Sequence, residues 1–149
     1  MSLLNSKFDV LRGYPNGSAL TWPFEIKKNG STPVTLAAGN IVTQELSGAL
    51  TVVDKATTPN VTSADPLDVW LVVEGNDDFS GQFVNKCAAV KIGSGVIWKT
   101  DNYASGTYTP GVAVSYASGQ LKVKASTEQI IGYVLEDRTA TEGCVVVSA

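Results

Sequence analysis

The stretch that decides the fold is PGVAVSYASGQLKVKASTEQIIGYVLED, which runs from Pro110 to Asp137. A short apolar run near its start is followed by Ser118-Gly119, a signal for a tight hairpin. In the next segment, QLKVKAS, the apolar residues Leu121 and Val123 alternate with lysines, which is typical of a strand with one buried face. The last run, QIIGYVLE, is apolar on both faces and predicts a central strand.

The same order of elements occurs earlier in the chain, beginning with AGNIVTQELSGALTVVDK from Ala38 to Lys55. A glycine, a strand, a Ser-Gly turn, an alternating strand, a buried strand and a short final strand follow one another in both copies. One copy alone could not cover its apolar strands, whereas two copies can share a core. The aligned pairs are Gly39 with Gly111, Leu50 with Leu121, Val73 with Val134, and Cys87 with Cys144.

The chain has 149 residues, the size of one domain. From residue 34 onward the candidate strands are short, rich in Val and Ile, and bounded by Gly, Ser, Asn and Asp. We therefore predict an all-β protein, an antiparallel sandwich or barrel with an internal two-fold repeat. The β domain should span 34–149, with repeat units at about 34–92 and 108–149. The residues expected in its core are Leu50, Val52, Val72, Leu121, Val123 and Val134.

Residues 1–33 differ from the rest of the chain, because turn residues are dense there and no period persists. Tyr14, Trp22 and Phe24 lie between prolines and glycines in this segment. We predict an extended N-terminal arm with a short strand at Phe24–Ile26.

Aromatic rings in such an arm have to be covered by something. Burial of a ring such as that of Trp22 or Phe24 contributes roughly 1.5–3 kcal/mol. We expect Trp22–Ile26 to dock on the arm's own domain and Met1–Asn16 to dock on a partner.

Composition excludes several classes of function. The net charge is −3 and the lysines are scattered, so no basic stripe is available for nucleic acid. No apolar run approaches the roughly 18 residues of a membrane-spanning helix, and MSLLNSKFDV lacks the pattern of a secretory signal. The chain contains no histidine, which removes the usual general base and the commonest zinc ligand. We expect no enzymatic activity, cofactor or metal.

Two features deserve a chemical interpretation besides these exclusions. Glu74, Asp77 and Asp78 in EGNDDFSG could bind calcium through oxygens, but the spacing of a calcium loop is missing, which favours a solvated loop. Cys87 and Cys144 each precede an apolar run and are predicted to be buried, reduced thiols.

The loop TDNYASGTYTPG carries Tyr103 and Tyr108, and Trp98 lies shortly before it. Such rings could form a binding surface that stacks on sugars, because aromatic side chains offer a large area at a low entropy cost. They could equally cap the end of a barrel.

In the order and spacing of its glycines and valines, Leu36–Ala149 resembles the head decoration (cement) proteins of tailed bacteriophages. The segments that carry the resemblance are LAAGNIVTQELSGALTVV, TPGVAVSYASGQLKVKA, EQIIGYVLED and GCVVVSA. The resemblance implies a non-enzymatic protein on the outer surface of the virion capsid, where it binds the major capsid protein. It implies assembly in the host cytoplasm and a homo-oligomer, with a trimer favoured and a dimer possible. Tyr14, Trp22 and Phe24 are then the expected contacts with the capsid or with a neighbouring copy. The chain departs from compact members of the family in its arm and its duplication.

Two alternatives come from other functional classes. One is a phage tail or fibre β module, which would share this composition. The other is a carbohydrate-binding β module that uses Trp98, Tyr103 and Tyr108.

Overall fold

The computed structural model describes residues 8–12, 21–47, 50–57, 68–77, 85–93 and 95–149, and these form strands, turns and loops with no helix. The strands are short, as expected from runs of Val and Ile broken by Gly, Ser and Asp. Their bounds are β1 Asp9–Arg12, β2 Thr21–Ile26, β3 Lys28–Asn29, β4 Thr32–Pro33, β5 Ile41–Ser47, β6 Leu50–Lys55, β7 Val69–Glu74, β8 Lys86–Lys91, β9 Ile97–Thr100, β10 Ala113–Ala117, β11 Gln120–Val123, β12 Gly132–Arg138 and β13 Cys144–Ser148.

Two sheets make up the body of the protein. Five strands close into a barrel in the order β2-β6-β5-β7-β8, and six form a sheet in the order β1-β9-β13-β12-β10-β11. β3 and β4 form a separate small hairpin. The predicted all-β antiparallel sandwich or barrel is confirmed, with one difference: β2 lies parallel to β6.

The internal repeat is visible in the strand pairing. β5 pairs with β6 and β7, and β7 pairs with β8, while β10 pairs with β11 and β12, and β12 pairs with β13. The turn that begins each unit is also the same. Gly39 (φ 94°) donates its N–H to the Val72 carbonyl at 2.8 Å, and Gly111 (φ 91°) donates to the Val134 carbonyl at 2.8 Å. Glycine suits both positions because it adopts positive φ without steric cost.

Each repeat unit begins earlier than the sequence indicates. β2 pairs antiparallel with β8, and β9 pairs in the same way with β13. Ile26 then lies parallel to Val53 of β6, and Tyr103, just after β9, makes a parallel bridge to Leu121 of β11. The predicted starts at 34 and 108 are therefore too late. The sequence predicts only the second half of β2, as the strand at Phe24–Ile26, and assigns it to the arm, because the proline at position 23 interrupts the strand pattern.

The register also corrects the residue-by-residue alignment. The turn hydrogen bonds make Val72, and not Val73, equivalent to Val134, and the strand pairing then makes Cys87 equivalent to Val145 and not to Cys144. The hairpin of β5 and β6 has six paired positions and that of β10 and β11 has four. Because a Ser-Gly turn closes hairpins of unequal length, aligning those turns shifts the returning strands out of equivalence.

The described parts of residues 1–33 do not form an extended arm: β1 and β2 are strands of the two sheets, and β3 and β4 form the small separate hairpin. Docking of Trp22–Ile26 on its own domain is confirmed by β2, in which Phe24 and Ile26 are buried. Residues 8–12 of the segment Met1–Asn16, which is predicted to dock on a partner, dock on the protein's own sheet, because β1 pairs with β9 and Phe8 lies in the core. Tyr14 lies outside the described residues.

Two clusters of apolar side chains hold the units together. One fills the barrel and contains Phe24, Leu36 and Val72. The other joins the six-stranded sheet to the outer wall of the barrel, where Leu71 shares a cluster with Trp98.

The core residues predicted from the sequence are largely where they were expected. Val72, Leu121 and Val134 are buried as predicted, and Val123, the last residue of β11, is only partly buried. The side chains of Leu50 and Val52 lie outside the described part of the structure.

Candidate functional site

The aromatic residues near the Tyr103 loop do not form an exposed surface. Trp98 is 0% exposed and Tyr108 is 1% exposed. The Tyr108 hydroxyl donates to the Ala104 carbonyl at 2.7 Å, and Tyr103, partly buried, packs edge-on against Tyr108 with ring centroids 5.2 Å apart. Of the two interpretations of this loop, the structure favours the one in which the rings close one end of a β unit.

Trp22 is the exposed aromatic residue at the equivalent place in the first unit. Trp22 lies opposite Ala89, and Trp98 lies opposite Val147, which is the counterpart of Ala89. The two tryptophans are therefore sister positions, yet Trp22 is 59% exposed. The other predicted contact, Phe24, is buried and packs edge-on against Trp70 with centroids 4.8 Å apart, so it is part of the core.

The strand edge beside Trp22 differs between the two units. In the second unit, β1 covers this edge of β9, with Asp9 opposite Lys99. In the first unit, no described strand pairs with residues 21–23 on the side away from β8. Pro23 is the counterpart of Lys99. The Ile26 N–H donates to the Asn85 carbonyl, on the side of β2 that faces β8. Because backbone N–H groups alternate in direction along a strand, the nitrogen of Pro23, three residues earlier, faces the opposite, uncovered edge.

Proline at that position changes what the edge can bind. An added strand would find no N–H donor at Pro23, and proline on an edge strand discourages pairing for this reason. A binding partner would therefore contact the indole ring of Trp22, because the backbone of this edge is poorly suited to pairing with an added strand.

The candidate chemical groups are either dispersed or buried. No group of three or more His, Cys, Asp or Glu that could hold a metal ion occurs among the described residues, and Asp78 lies outside them. Cys87 and Cys144 are buried and unpaired, as predicted. Burial raises the pKa of Cys87 to about 12, and burial together with the Glu142 carboxylate raises the pKa of Cys144. Both thiols are held in the neutral form, which is the less nucleophilic one.

A second exposed apolar surface was missed at the level of sequence. Ile130, Tyr133 and Leu135 are 44%, 51% and 48% exposed, and together they define what we call the β12 face. Tyr133 precedes the buried Val134 and projects away from the core by strand alternation, and Leu135, the extra residue at the register shift between Val134 and Glu136, is exposed as well. QIIGYVLE was read as a central strand, and β12 is central, between β13 and β10. The apolar residues on both faces of this segment are the sequence signal for the exposed surface, because only one face of β12 packs against a core.

No family model matches the chain, and no curated protein or solved structure does. In the described part of the chain, no helix is long and apolar enough to cross a membrane.

Proposed function

We propose that the protein is a head decoration protein that binds the outer surface of an assembled phage capsid and strengthens it without catalysis. Its partner is the major capsid protein, and it joins the virion from the host cytoplasm. The observation that carries the proposal is Trp22, a tryptophan left 59% exposed at the position where the sister repeat buries Trp98 completely.

The energetics of Trp22 suit a contact repeated over a lattice. Covering a large aromatic side chain contributes roughly 1.5–3 kcal/mol, and Trp is prominent among residues that dominate interfaces. One such contact is weak alone. Many identical copies on a symmetric shell stabilise the shell together, because each bound copy favours the intact lattice over its parts.

The body behind Trp22 supports a mechanical role. Two repeat units share one apolar cluster, which joins the sheet and the barrel through buried residues such as Leu71 and Trp98. The described thiols and the phenols of Tyr108 and Tyr116 have pKa values raised by burial, so they are kept neutral and are poor nucleophiles or bases. The net charge of −3 suits contact with a protein shell better than contact with packaged DNA.

The alternatives have less support. A carbohydrate-binding module would need Trp98 and Tyr108 at the surface, and both are buried. No specific observation favours a tail or fibre module.

The test is a pelleting assay with expanded capsid shells, followed by measurement of the temperature at which the shells release DNA. We expect the wild-type protein to co-sediment and to raise that temperature, and Trp22→Ala to bind at least tenfold more weakly. Leu11→Ala is the matched control, since it removes another exposed apolar side chain (46% exposed) and should leave binding unchanged. A wild-type protein that stays in the supernatant, with shells that fail at the same temperature, would overturn the proposal and favour a tail component.

A further inference from the structure

We propose that Asn29, where β3 turns into β4, is a site of covalent modification, at which the side-chain amide is lost as ammonia and a carboxylate takes its place. The reaction needs only the chain and water, so it does not depend on binding to a capsid. The proposal rests on the residue that follows Asn29, on the exposure of the turn and on the separation of this hairpin from both sheets.

The turn supplies two groups that can react with each other. Asn29 is followed by Gly30, and the backbone nitrogen of Gly30 can attack the side-chain carbonyl carbon of Asn29. A bond forms between that nitrogen and that carbon, the carbon–nitrogen bond of the side-chain amide breaks, and the proton of the Gly30 N–H leaves with the amide as ammonia. Water then opens the cyclic imide at one of its two carbonyls. The products are aspartate and its isomer, in which the backbone runs through the former side chain.

Glycine is the residue that hinders this attack least, because it has no Cβ beside its nitrogen. At Gly30 φ is +70°, and apart from its chain neighbours no described heavy atom lies within 4 Å of the place where a Cβ would be. Asn29 and Gly30 are both exposed, so water reaches the reacting groups without crossing the core.

Three other asparagines differ from Asn29 in both respects. The Asn76 Oδ1 accepts the Leu36 N–H at 2.7 Å, the Asn40 Oδ1 accepts the Ala37 N–H at 2.8 Å, and the Asn102 Nδ2 donates to two carbonyls at 3.1 Å. These bonds fix the side chains, and none of the three residues is followed by glycine. We expect them to remain asparagines.

The closed hairpin opposes the attack, because strand pairing holds the backbone of Asn29 extended. That pairing is short: Lys28 lies opposite Pro33, and Asn29 lies opposite Thr32. β3 and β4 form a sheet of their own, apart from the barrel and the six-stranded sheet. Since a two-stranded hairpin is marginally stable alone, local opening gives the reactive form while both sheets stay folded.

Modification changes the charge of the turn and, in one product, its backbone. Either product makes the net charge of −3 one unit more negative, beside Lys28. The isomeric product also lengthens the backbone before the turn, which moves Lys28 out of register with Pro33. Because β3 and β4 belong to neither large sheet, the melting temperature of the modified protein should match that of the unmodified one.

The test is incubation of the folded full chain in neutral buffer, followed by tryptic digestion and mass spectrometry. Trypsin places Asn29 and Asn16, the other asparagine followed by glycine, in different peptides. A free peptide of sequence KKNGST, residues 27–32, gives the rate without a fold. We expect Asn29 of the folded protein to gain the mass that separates an acid from an amide. Its rate should be no more than about a hundredfold below that of the free peptide, because only the hairpin has to open.

Gly30→Ala is the matched variant, since it adds one methyl group beside the attacking nitrogen. It should react about tenfold more slowly or less, although alanine at φ +70° is strained and favours the opened hairpin. A variant that reacts as fast as the wild type would mean that the Gly30 nitrogen is not the attacking group.

An unchanged mass at Asn29 while the free peptide reacts overturns the proposal. So does a rate more than about a hundredfold below that of the peptide, because the reaction would then wait for unfolding of the whole chain. A gain at Asn76 or Asn102 equal to that at Asn29 would also contradict it, since neither the glycine nor the exposed turn would then select the site. Failure of the protein to bind capsid shells leaves each of these results unchanged.

Discussion

Truncating the two sister tryptophans separately should destabilise the protein by very different amounts. Trp98→Ala removes a side chain that is 0% exposed, from the cluster that joins the sheet to the barrel. Aromatic side chains bury about 150–250 Å², which at about 25 cal/mol per Å² corresponds to roughly 4–6 kcal/mol. Alanine retains part of that area, and measured truncations of this kind cost about 3–5 kcal/mol. We expect a loss in this last range.

Trp22→Ala is the matched control, with the same substitution at the equivalent position of the other repeat. Trp22 is already 59% exposed, so less than half of the burial contribution is lost, and we expect a cost of about 1–2 kcal/mol including the lower strand propensity of alanine. The free energy of unfolding should be measured by urea titration followed by far-UV circular dichroism, because both variants alter tryptophan fluorescence. If Trp98→Ala does not fold, Trp98→Phe can replace it, because phenylalanine keeps an aromatic ring and should lower the free energy of unfolding by less. Equal losses for the two alanine variants would refute the equivalence and burial argument.

Two further outcomes are expected. Burial raises the pKa of Cys87 from 9.0 to about 12 and that of Tyr108 and Tyr116 from 10.0 to about 12, so the unfolded chain releases these protons first and stability should fall as the pH rises from about 9 to about 12. Urea midpoints at pH 8 and at pH 11 would show the fall, and Tyr116→Phe should make it smaller; a midpoint independent of pH would contradict the assigned burial. Gly75→Ala should be severely destabilising, because its Cβ would lie 2.0 Å from the Leu36 carbonyl oxygen, whereas Gly93→Ala, with nothing within 4 Å, should be nearly neutral in the same urea titration. Similar midpoints for the two glycine variants would show that the approach of Gly75 to Leu36 is wrong.

The strand class and the repeat could be predicted from the sequence because they depend on local features. The positive φ at Gly39 and Gly111 requires glycine, and alternation around Leu121 marks a half-buried strand, so both can be read without knowing the neighbours. The register of the repeat could not be predicted in the same way. It depends on which carbonyl each N–H reaches, and a hairpin with two more paired positions shifts the returning strand without changing the Ser-Gly signal.

The predicted site failed where exposure depends on a distant segment. Trp98 and Tyr108 lie in stretches bounded by polar residues, a pattern that suits loop tips and buried strand ends equally well. β1 pairs with β9, although the paired residues are about 90 positions apart in the chain, and this pairing places Val10 beside Trp98. The barrel wall covers the rest of the Trp98 side chain. No local pattern near residue 98 carries that information.

The two repeats share one architecture but differ in which of their faces is covered. The outer wall of the first unit is closed by the second unit, which leaves its Trp22 edge uncovered by any described strand, whereas the second unit has its Trp98 edge closed by β1 and leaves its β12 face exposed. Joining two equivalent units in a head-to-tail manner necessarily leaves unlike surfaces at the two ends. A chain with two different exposed apolar sites can bind two different neighbours at once. The asymmetry of the duplication therefore leaves the chain with two unlike exposed apolar surfaces, one at Trp22 and one at the β12 face.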